Sequence, residues 1–305
     1  MDLHRSTGRW RLGLALALVT ALIWGLLPLA LKFLVGTLDP VTITWARFLG
    51  AGALLAAARA HRQRPSLGRV PWMYGLLVLA TLGMCGNYAL YLAGLRLTTP
   101  STAQLVTQLA PLFLMGGSML LFGERFCRAQ WLGLGVLLGG LGLYFGGRVD
   151  VPGAGLAGMA GGVLLVVAGA ASWAVYALAQ KQLLRDFTPD FVLPFVYLAG
   201  ALLLWPAAQP ALVLVQSWPR LLLLAVTALV TLVSYRCFSG ALQHLEGARV
   251  SVVLSLSPLI TVSGVAVAAS LVPQRVHPEQ LGAAGLLGAL LVVGGSALTA
   301  LAGRE

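Results

Sequence analysis

The segment STAQLVTQLAPLF, residues 101–113, combines two glutamines, three hydroxyl side chains and a proline within a strongly apolar part of the chain. A second segment, ARVSVVLSLSPLI at residues 248–260, follows the same pattern. Pro111 falls on Pro258 when the two segments are aligned at an offset of 147 residues. This match indicates that the sequence repeats itself, and the repeat predicts how the whole chain is organised.

Two further pairs of segments match in the same order along the chain. They are LIWGLLPLALKFLVGTLDP (22–40) with ASWAVYALAQKQLLRDFTP (171–189), and NYALYLAGL (87–95) with SYRCFSGAL (234–242). The first alignment pairs Trp24 with Trp173 at an offset of 149 residues. We therefore predict two repeats, residues 1–149 and residues 150–305.

The composition argues against a water-soluble globular protein. Of the 305 residues, 59% are hydrophobic and 10% are charged, whereas a soluble domain averages about a quarter charged residues. Apolar runs of about 18 residues or more recur along the chain, as is typical of helices that cross a lipid bilayer. The first run continues from Leu12 to Leu34 without a clear cleavage site, so we interpret it as a span and not as a signal peptide.

We predict an all-α polytopic membrane protein with ten transmembrane helices, arranged as two inverted five-helix repeats. The predicted spans are 12–35, 40–59, 72–95, 101–122, 128–147, 155–181, 190–207, 218–243, 249–271 and 279–301. Because five is odd, the second repeat enters the membrane from the opposite side. Inverted repeats are typical of transporters; the alternative is a duplication kept only for stability.

The distribution of cationic residues predicts the orientation of the chain. If the N-terminus is cytoplasmic, 13 of the 20 Lys and Arg residues lie at cytoplasmic ends of spans and 5 lie at the opposite ends. The positive-inside rule then explains the net charge of +11 and places both termini in the cytoplasm. We exclude nucleic acid as a partner, because the basic residues do not alternate with aromatic residues on one face.

The sequence shows no pattern of an enzyme, a metal site or a cofactor site. It contains no phosphate-binding loop, no paired carboxylates and no Cys/His cluster, so we predict no catalytic residues, metal or cofactor. A channel is also disfavoured, because rings of charge and a filter motif are missing. The nine acidic residues all lie in or near junctions and tails, which predicts transport without tight proton coupling. His244, near a span end, is the nearest candidate for a proton relay.

The chain resembles the EamA family of the drug/metabolite transporter superfamily over essentially its whole length. The segment GLRLTTPSTAQLVTQLAPLFLMGGSMLLFGERFCRAQWLGLGVLLGGLGLYFGG, residues 94–147, is similar to the fourth and fifth helices of that family. The resemblance rests on a helix start rich in small residues, a mid-helix proline, Gly-Glu-Arg at residues 123–125 and a glycine-rich closing helix. The second half fits the same pattern, except that Leu271 stands where the glutamate is expected.

The resemblance implies ten helices, cytoplasmic termini and alternating access for small metabolites. Within the family, the chain looks most like the bacterial aromatic amino-acid exporters, which implies a bacterial plasma membrane protein that carries amino acids and related metabolites. The alternative is a multidrug or other metabolite efflux transporter of the same superfamily. The partners expected from this resemblance are small-molecule substrates and the lipid bilayer.

Polar and aromatic residues at helical spacing mark helix faces that avoid lipid, because a polar group in hydrocarbon loses its water without compensation. Such faces occur on spans 1, 3, 4, 6, 8 and 9, so we predict that these six spans surround a central wet cavity. The predicted substrate-binding residues are Trp24, Asn87, Tyr88, Tyr91, Gln104, Gln108, Trp173, Tyr176, Ser234, Tyr235 and Ser251. The amides can bind amino and carboxylate groups, and the rings offer flat apolar walls.

Each of these residues also has a structural alternative. A Ser or Thr within a span can bond to its own helix backbone, and a Tyr or Trp near a span end can anchor the helix at the interface. Arg236 either binds a substrate carboxylate or satisfies carbonyls at a helix end, and Arg47 is predicted to extend to the membrane interface.

Three prolines, Pro28, Pro111 and Pro258, lie inside predicted spans. Each removes a helical hydrogen bond, so each is either a hinge or a static kink. Two series of glycines predict close helix packing, and they leave open a monomer or a weak homodimer. The series are Gly135, Gly139, Gly142 and Gly146, and Gly282, Gly285 and Gly288.

Overall fold

The computed structural model describes residues 9–59, 71–122, 127–146, 155–184, 187–245, 247–276, 278–279 and 281–302. The helices of the first half are α1 (Trp10–Leu34), α2 (Pro40–Arg59), α3 (Pro71–Leu97), α4 (Pro100–Val106), α5 (Ala110–Phe122) and α6 (Arg128–Gly146). Those of the second half are α7 (Gly155–Leu183), α8 (Pro189–Leu204), α9 (Pro210–Leu214), α10 (Trp218–His244), α11 (Gly247–Leu254), α12 (Ser257–Leu271) and α13 (Ala283–Leu301). Short 3₁₀ turns follow α4 and α8.

Within the described residues, ten helical spans are long and apolar enough to cross a bilayer. Their bounds agree with the predicted ones to within a few residues, and the prediction of an all-α protein with ten spans in two inverted repeats is confirmed. The predicted boundary between the repeats, at residues 149 and 150, lies outside the described residues.

Proline and capping side chains determine where several of these helices begin. Helices α2, α4 and α8 begin at Pro40, Pro100 and Pro189, where the missing N–H removes a donor that has no helical partner anyway. Before α2, the Asp39 carboxylate accepts a hydrogen bond from the Thr42 N–H at 2.9 Å. Pro40 and Pro189 are equivalent positions of the repeat, so the second span of each half begins in the same way.

The fourth and ninth spans, predicted as continuous helices, are each broken near their middle. In the fourth span, a 3₁₀ turn at Thr107–Leu109 separates α4 from α5, which contains Pro111. In the ninth span, residues 255–256 separate α11 from α12, which contains Pro258. Pro258 has no N–H to donate to the Leu254 carbonyl, four residues before it. The Ser257 hydroxyl donates a hydrogen bond to this carbonyl instead, at 2.7 Å. The two breaks occupy equivalent places in the two repeats.

Helices of one repeat pack against helices of the other, and equivalent helices make equivalent contacts. Helix α3 packs along α7 and α1 packs along α10, so the third span of each half lies against the first span of the other half. Helix α2 packs against α8, and α6 packs against α13, which pairs the second spans and the fifth spans with each other. The bundle is therefore assembled from contacts between the halves as much as within them.

Gly13 of α1 and Gly162 of α7 show this exchange at the level of single residues. A Cβ at Gly162 would lie 2.6 Å from Thr98 Cγ2 at the end of α3. A Cβ at Gly13 would lie 2.7 Å from Leu245 Cγ at the end of α10. Gly13 and Gly162 are 149 residues apart, and Thr98 and Leu245 are 147 residues apart, as in the sequence alignment. Both first spans therefore meet the end of the opposite third span through a glycine.

The glycines that bring α6 and α13 together are not the series that we predicted on α6. A Cβ at Gly140 would lie 2.7 Å from the Val292 backbone nitrogen, and one at Gly288 would lie 2.5 Å from the Tyr144 backbone nitrogen. Gly133 and Gly295 are equally tight, whereas open space surrounds Gly135, Gly139, Gly142 and Gly146. The prediction was wrong for α6, because spacing reveals a glycine stripe but not which stripe faces the partner helix.

Candidate functional site

A connected group of aromatic rings lies between the two repeats, and we call it the central aromatic cluster. Its members are Trp24 of α1, Phe48 of α2, Tyr88 of α3, Tyr197 of α8, and Tyr235 and Phe238 of α10. Trp24 lies 5.8 Å from Tyr235 and 5.6 Å from Phe238 between ring centroids. Tyr235 continues to Tyr197 at 6.2 Å. The Trp24–Tyr235 and Tyr235–Tyr197 contacts are edge-to-face, and such pairs contribute about 0.5–1.5 kcal/mol each beyond burial.

Phe48 connects Tyr88 to the rest of the cluster. Its ring lies 4.8 Å from the Tyr88 ring and 5.1 Å from the Tyr197 ring between centroids. Phe48 itself is fully buried. Five helices from both repeats thus contribute to one continuous wall of rings.

Arg47 lies beside this wall, and it is buried. Only 3% of its surface is exposed, and its Nη2 donates a hydrogen bond to the Thr231 hydroxyl at 2.8 Å. The guanidinium carbon lies 4.9 Å from the centre of the Tyr88 ring, within cation–π distance. The Nε atom is buried, and no described residue offers it a hydrogen-bond partner. The prediction that Arg47 extends to the membrane interface is therefore wrong, because its side chain turns inward to Thr231 and Tyr88.

Arg236 shows the opposite behaviour. It is exposed on α10, although its neighbours Ser234 and Tyr235 face the interior. Successive residues of a helix point about 100° apart, so one helix can present Tyr235 to the cluster and Arg236 outward. Of the two intramembrane arginines, the buried one is Arg47 and not Arg236.

Of the eleven predicted site residues, three belong to the central aromatic cluster: Trp24, Tyr88 and Tyr235. Trp173 and Tyr176 of α7 pack against the same hydrophobic core, which includes Phe48 and Tyr197. Within the described part of the chain, the buried hydroxyls of Tyr176 and Tyr197 have no partner in hydrogen-bonding geometry. The polar side chains beside them are Gln180 and Tyr88.

Asn87 joins two helices in this conformation. Its Nδ2 donates to the Gly169 carbonyl of α7 at 2.9 Å, so one of its amide donors is used to hold α3 against α7. The equivalent pair in the other half is Ser234 and Thr20, in which the Thr20 hydroxyl points to the Ser234 carbonyl at a longer 3.5 Å. A substrate contact for Asn87 stays a prediction.

The two glutamines of the opening segment also have partners within the protein. Gln104 accepts a hydrogen bond from the Tyr91 hydroxyl at 3.4 Å, and Gln108 accepts one from the Ser296 hydroxyl of α13 at 3.0 Å. These bonds tie the broken fourth span to its neighbours at the level of the break. Each glutamine keeps its NH₂ group for other partners.

The two predicted serines lie apart from each other. Ser234 is buried, and its hydroxyl donates to the Thr231 carbonyl of its own helix at 2.9 Å, which is the structural alternative for an intramembrane serine. Ser251 is exposed on α11. The structure does not bring either hydroxyl into the central aromatic cluster.

The three predicted hinge prolines lie in different surroundings. Pro111 and Pro258 adjoin the breaks of the fourth and ninth spans, whereas α1 continues through Pro28. Near Pro28, the Gly25 carbonyl accepts a hydrogen bond from the Thr261 hydroxyl of α12 at 2.6 Å. The part of α1 near Pro28 therefore lies against α12 just beyond its break. A hinge function for these prolines stays a prediction.

Sequence reasoning missed the contribution of the second and seventh spans, since we predicted that only spans 1, 3, 4, 6, 8 and 9 surround the centre. Arg47 and Phe48 come from the second span, and Tyr197 comes from the seventh. A charged residue inside a transmembrane span marks a functional site by default, and this signal could have identified Arg47.

Two cavities lie away from Arg47. One of about 710 Å³ is apolar and lies between α1 and α12, near Leu26 and Ile260. The other, of about 170 Å³, is lined by Ser101, Glu279 and apolar side chains of α12. Arg47 lines neither cavity, and its side chain is only 3% exposed, so the surrounding protein encloses it. Among the described residues, no group of three or more metal-binding side chains is present.

Comparison with known proteins identifies the class to which this fold belongs. The model of the EamA-like transporter family matches residues 11–146 and 160–301. The uncharacterized inner membrane transporter YhbE of Escherichia coli K12 is 32% identical over 297 residues, which cover 96% of this chain and 92% of that protein. The aromatic amino acid exporter YddG of Ancylobacter novellus is 32% identical over 166 residues, which cover 54% of this chain and 56% of the exporter.

A crystal structure also matches 96% of this chain and 98% of its own, with a TM-score of 0.62 and 25% sequence identity. The fold and these relatives define a polytopic membrane transporter for small molecules, and not an enzyme. The chain belongs to the EamA-like transporter family. It is a multi-pass protein of the bacterial inner membrane, in keeping with its ten apolar spans and with its inner membrane relative.

Proposed function

We propose that the protein is a facilitated carrier that exports amino acids, aromatic ones among them, and related small metabolites by alternating access. The observation that carries the proposal is the central aromatic cluster between two inverted repeats. Its rings come from both halves, so movement of one half against the other would expose the cluster to either side of the membrane. The partial match to an aromatic amino acid exporter agrees with this substrate class.

The breaks in the fourth and ninth spans support alternating access. Each break interrupts the helical hydrogen bonds at an equivalent place in the two repeats, near Pro111 and Pro258. Broken helices are common at the substrate sites of transporters, because they supply free backbone groups and points of bending.

We propose that transport is not tightly coupled to protons. The acidic residues that the structure describes, Asp39, Asp190 and Glu279, lie at or outside the ends of helices. A proton relay normally requires a carboxylate or histidine inside the membrane. We propose that both termini are cytoplasmic, as the 13 to 5 distribution of cations predicts, and that residues 1–149 and 150–305 are the two repeat units of a monomer or weak homodimer.

The test is flux of labelled phenylalanine, methionine and threonine into liposomes that contain the purified protein, with and without an imposed pH gradient. Equilibration of the amino acids without the gradient is the expected result. Accumulation only with the gradient would contradict uncoupled transport and direct attention to His244. Efflux of a cationic dye without amino-acid flux would favour the multidrug alternative instead.

A further inference from the structure

The Arg47 side chain is a buried charge with no counter-ion among the residues that the structure describes. Arginine stays protonated in proteins, and transfer of a cation out of water costs several kcal/mol unless a partner compensates. No carboxylate among the described residues pairs with Arg47, whose one hydrogen bond goes to the neutral Thr231 hydroxyl. Intramembrane cations of this kind mark substrate or ion pathways.

The geometry around Arg47 leaves part of the guanidinium available. The Thr231 hydroxyl donates its proton to the Thr227 carbonyl at 2.7 Å, so it can only accept from Arg47. The guanidinium carbon lies over the Tyr88 ring, 4.9 Å from its centre. The buried Nε–H has no hydrogen-bond partner among the described residues. A guanidinium can bind a carboxylate through two parallel N–H···O bonds, and one carboxylate would satisfy both the unpaired donor and the charge.

The surroundings of Arg47 also indicate what is attached to that carboxylate. The Tyr88 ring lies against the guanidinium, Phe48 lies 4.8 Å from Tyr88 between ring centroids, and Tyr235 packs against the same core. These rings suit an aromatic or large apolar group. No described acidic residue lies among them to pair with an ammonium group. The site therefore provides strong recognition for a carboxylate and none of equal strength for an amine.

We propose that Arg47 binds the carboxylate of the transported molecule, so that aromatic carboxylic acids without an amino group are ligands of the same site. This inference rests on the proposed function, because it takes the central aromatic cluster as the transport site. Substrate recognition is thereby assigned to the second span, which contributes the one charged side chain buried beside the cluster among the described residues.

Three probes of similar size separate the groups that the site recognises: phenylalanine, phenylacetate and phenethylamine. The melting temperature of the purified protein in detergent should rise with phenylalanine and with phenylacetate, because a ligand that binds only the folded state stabilises it. Phenethylamine, which lacks a carboxylate, should have no effect. Stabilisation by phenethylamine equal to that by phenylacetate would overturn the proposal.

The variants are Arg47→Gln and Arg47→Lys, with Arg236→Gln as the matched control, because Arg236 is an exposed arginine in a neighbouring span. Arg47→Gln should weaken phenylacetate binding roughly tenfold or more, and Arg47→Lys should weaken it less, because a point charge remains without the planar fork. Arg236→Gln should bind as the wild type does. If Arg47→Gln does not fold, phenylacetate binding is measured with Arg47→Lys alone. Binding by Arg47→Lys as tight as by the wild type would then contradict recognition of the carboxylate by the planar guanidinium.

Flux and binding together distinguish this inference from the function on which it rests. Phenylacetate-dependent stabilisation that Arg47→Gln abolishes, in a protein that moves no amino acid, would support Arg47 as a carboxylate site and refute the amino-acid carrier. Amino-acid flux that Arg47→Gln leaves unchanged would support the carrier and refute the role of Arg47.

Discussion

Gly13 in the first repeat and Gly162 in the second occupy equivalent positions, and each receives the end of the opposite third span against its backbone. Arg47 has no such counterpart. The equivalent position in the second repeat is Val196, which is fully buried in the hydrophobic core around Phe48. The two halves therefore share their packing residues, whereas they differ in the residue that brings a charge to the centre.

Symmetry explains this difference. A contact between spans of opposite repeats occurs twice in the molecule, so both copies need a residue small enough for the close approach. A site between the repeats occurs once, and one arginine is enough to charge it. A second buried cation at Val196 would add a further desolvation cost of several kcal/mol without a partner.

The largest effect is expected where two backbones touch, at the contact between α6 and α13. Gly140→Ala and Gly288→Ala each place a Cβ within 2.8 Å of backbone atoms of the partner helix. Because neither backbone can rotate away, we expect each variant to lose about 1–3 kcal/mol of stability. A thermal melt of the purified protein measures the loss.

Gly142→Ala is the control for this contact, because Gly142 lies on α6 in open space. It should melt at the wild-type temperature or slightly above it, since alanine favours a helix over glycine by about 1 kcal/mol. Equal destabilisation by Gly140→Ala and Gly142→Ala would show that the contact does not limit stability.

The next largest effect is expected at Gly13 and Gly162, and it tests whether these two equivalent positions contribute equally to stability. Gly162→Ala forces a Cβ against Thr98 and Leu97, and Gly13→Ala forces one against Leu245 and His244. Both variants should lower the melting temperature by similar amounts, because in both the new Cβ meets Cβ and Cγ atoms that lie close to the opposing backbone.

Gly161→Ala, next to Gly162 but in open space, should not lower the melting temperature. A strong effect of Gly162→Ala beside none of Gly13→Ala would break the equivalence and show that one junction between the halves is looser.

A smaller effect is expected at Asn87. Asn87→Ala removes the 2.9 Å hydrogen bond to the Gly169 carbonyl between α3 and α7. We expect a loss of about 0.5–1.5 kcal/mol, in the range of hydrogen bonds between transmembrane helices. A thermal melt beside Ser234→Ala provides the comparison, because the Ser234 hydroxyl bonds only within its own helix. A larger loss in Ser234→Ala than in Asn87→Ala would contradict this interpretation.

The smallest effect is expected at Thr20, the counterpart of Gly169. Its hydroxyl bonds to the Leu16 carbonyl of its own helix at 2.8 Å and reaches the Ser234 carbonyl only at 3.5 Å. Thr20→Val keeps the shape and should change stability by less than about 0.5 kcal/mol. A loss as large as that of Asn87→Ala would show that the two halves use this contact equally.

The sequence predicted the spans well, because hydropathy over about 20 residues is a local property that the bilayer selects. It also predicted the repeat, since Trp24 and Trp173, or Pro40 and Pro189, recur at one offset. Part of the site was predicted for the same reason: Tyr88 and Tyr235 are paired aromatic residues, and both lie in the central aromatic cluster.

The glycine contacts of α6 and the direction of the Arg47 side chain could not be predicted, because they depend on the rotation of a helix about its axis. On α6, the glycines that pack against α13 are Gly133 and Gly140, and not the series that includes Gly142. The sequence shows both stripes, but it does not show which of them faces another helix. Arg47 has a side chain long enough to reach either the interface or the interior. Its inward position depends on Thr231, a residue 184 positions away in the chain.

By itself, the sequence determined an all-α membrane protein of ten spans in two repeats, because apolar length and internal similarity are written along the chain. The tertiary structure decided which residues meet: Arg47 beside Tyr88, Gly140 against α13, and the rings of five helices in one cluster. These contacts depend on the rotation of each helix about its axis, and that rotation is set by the packing of neighbouring helices and not by hydropathy.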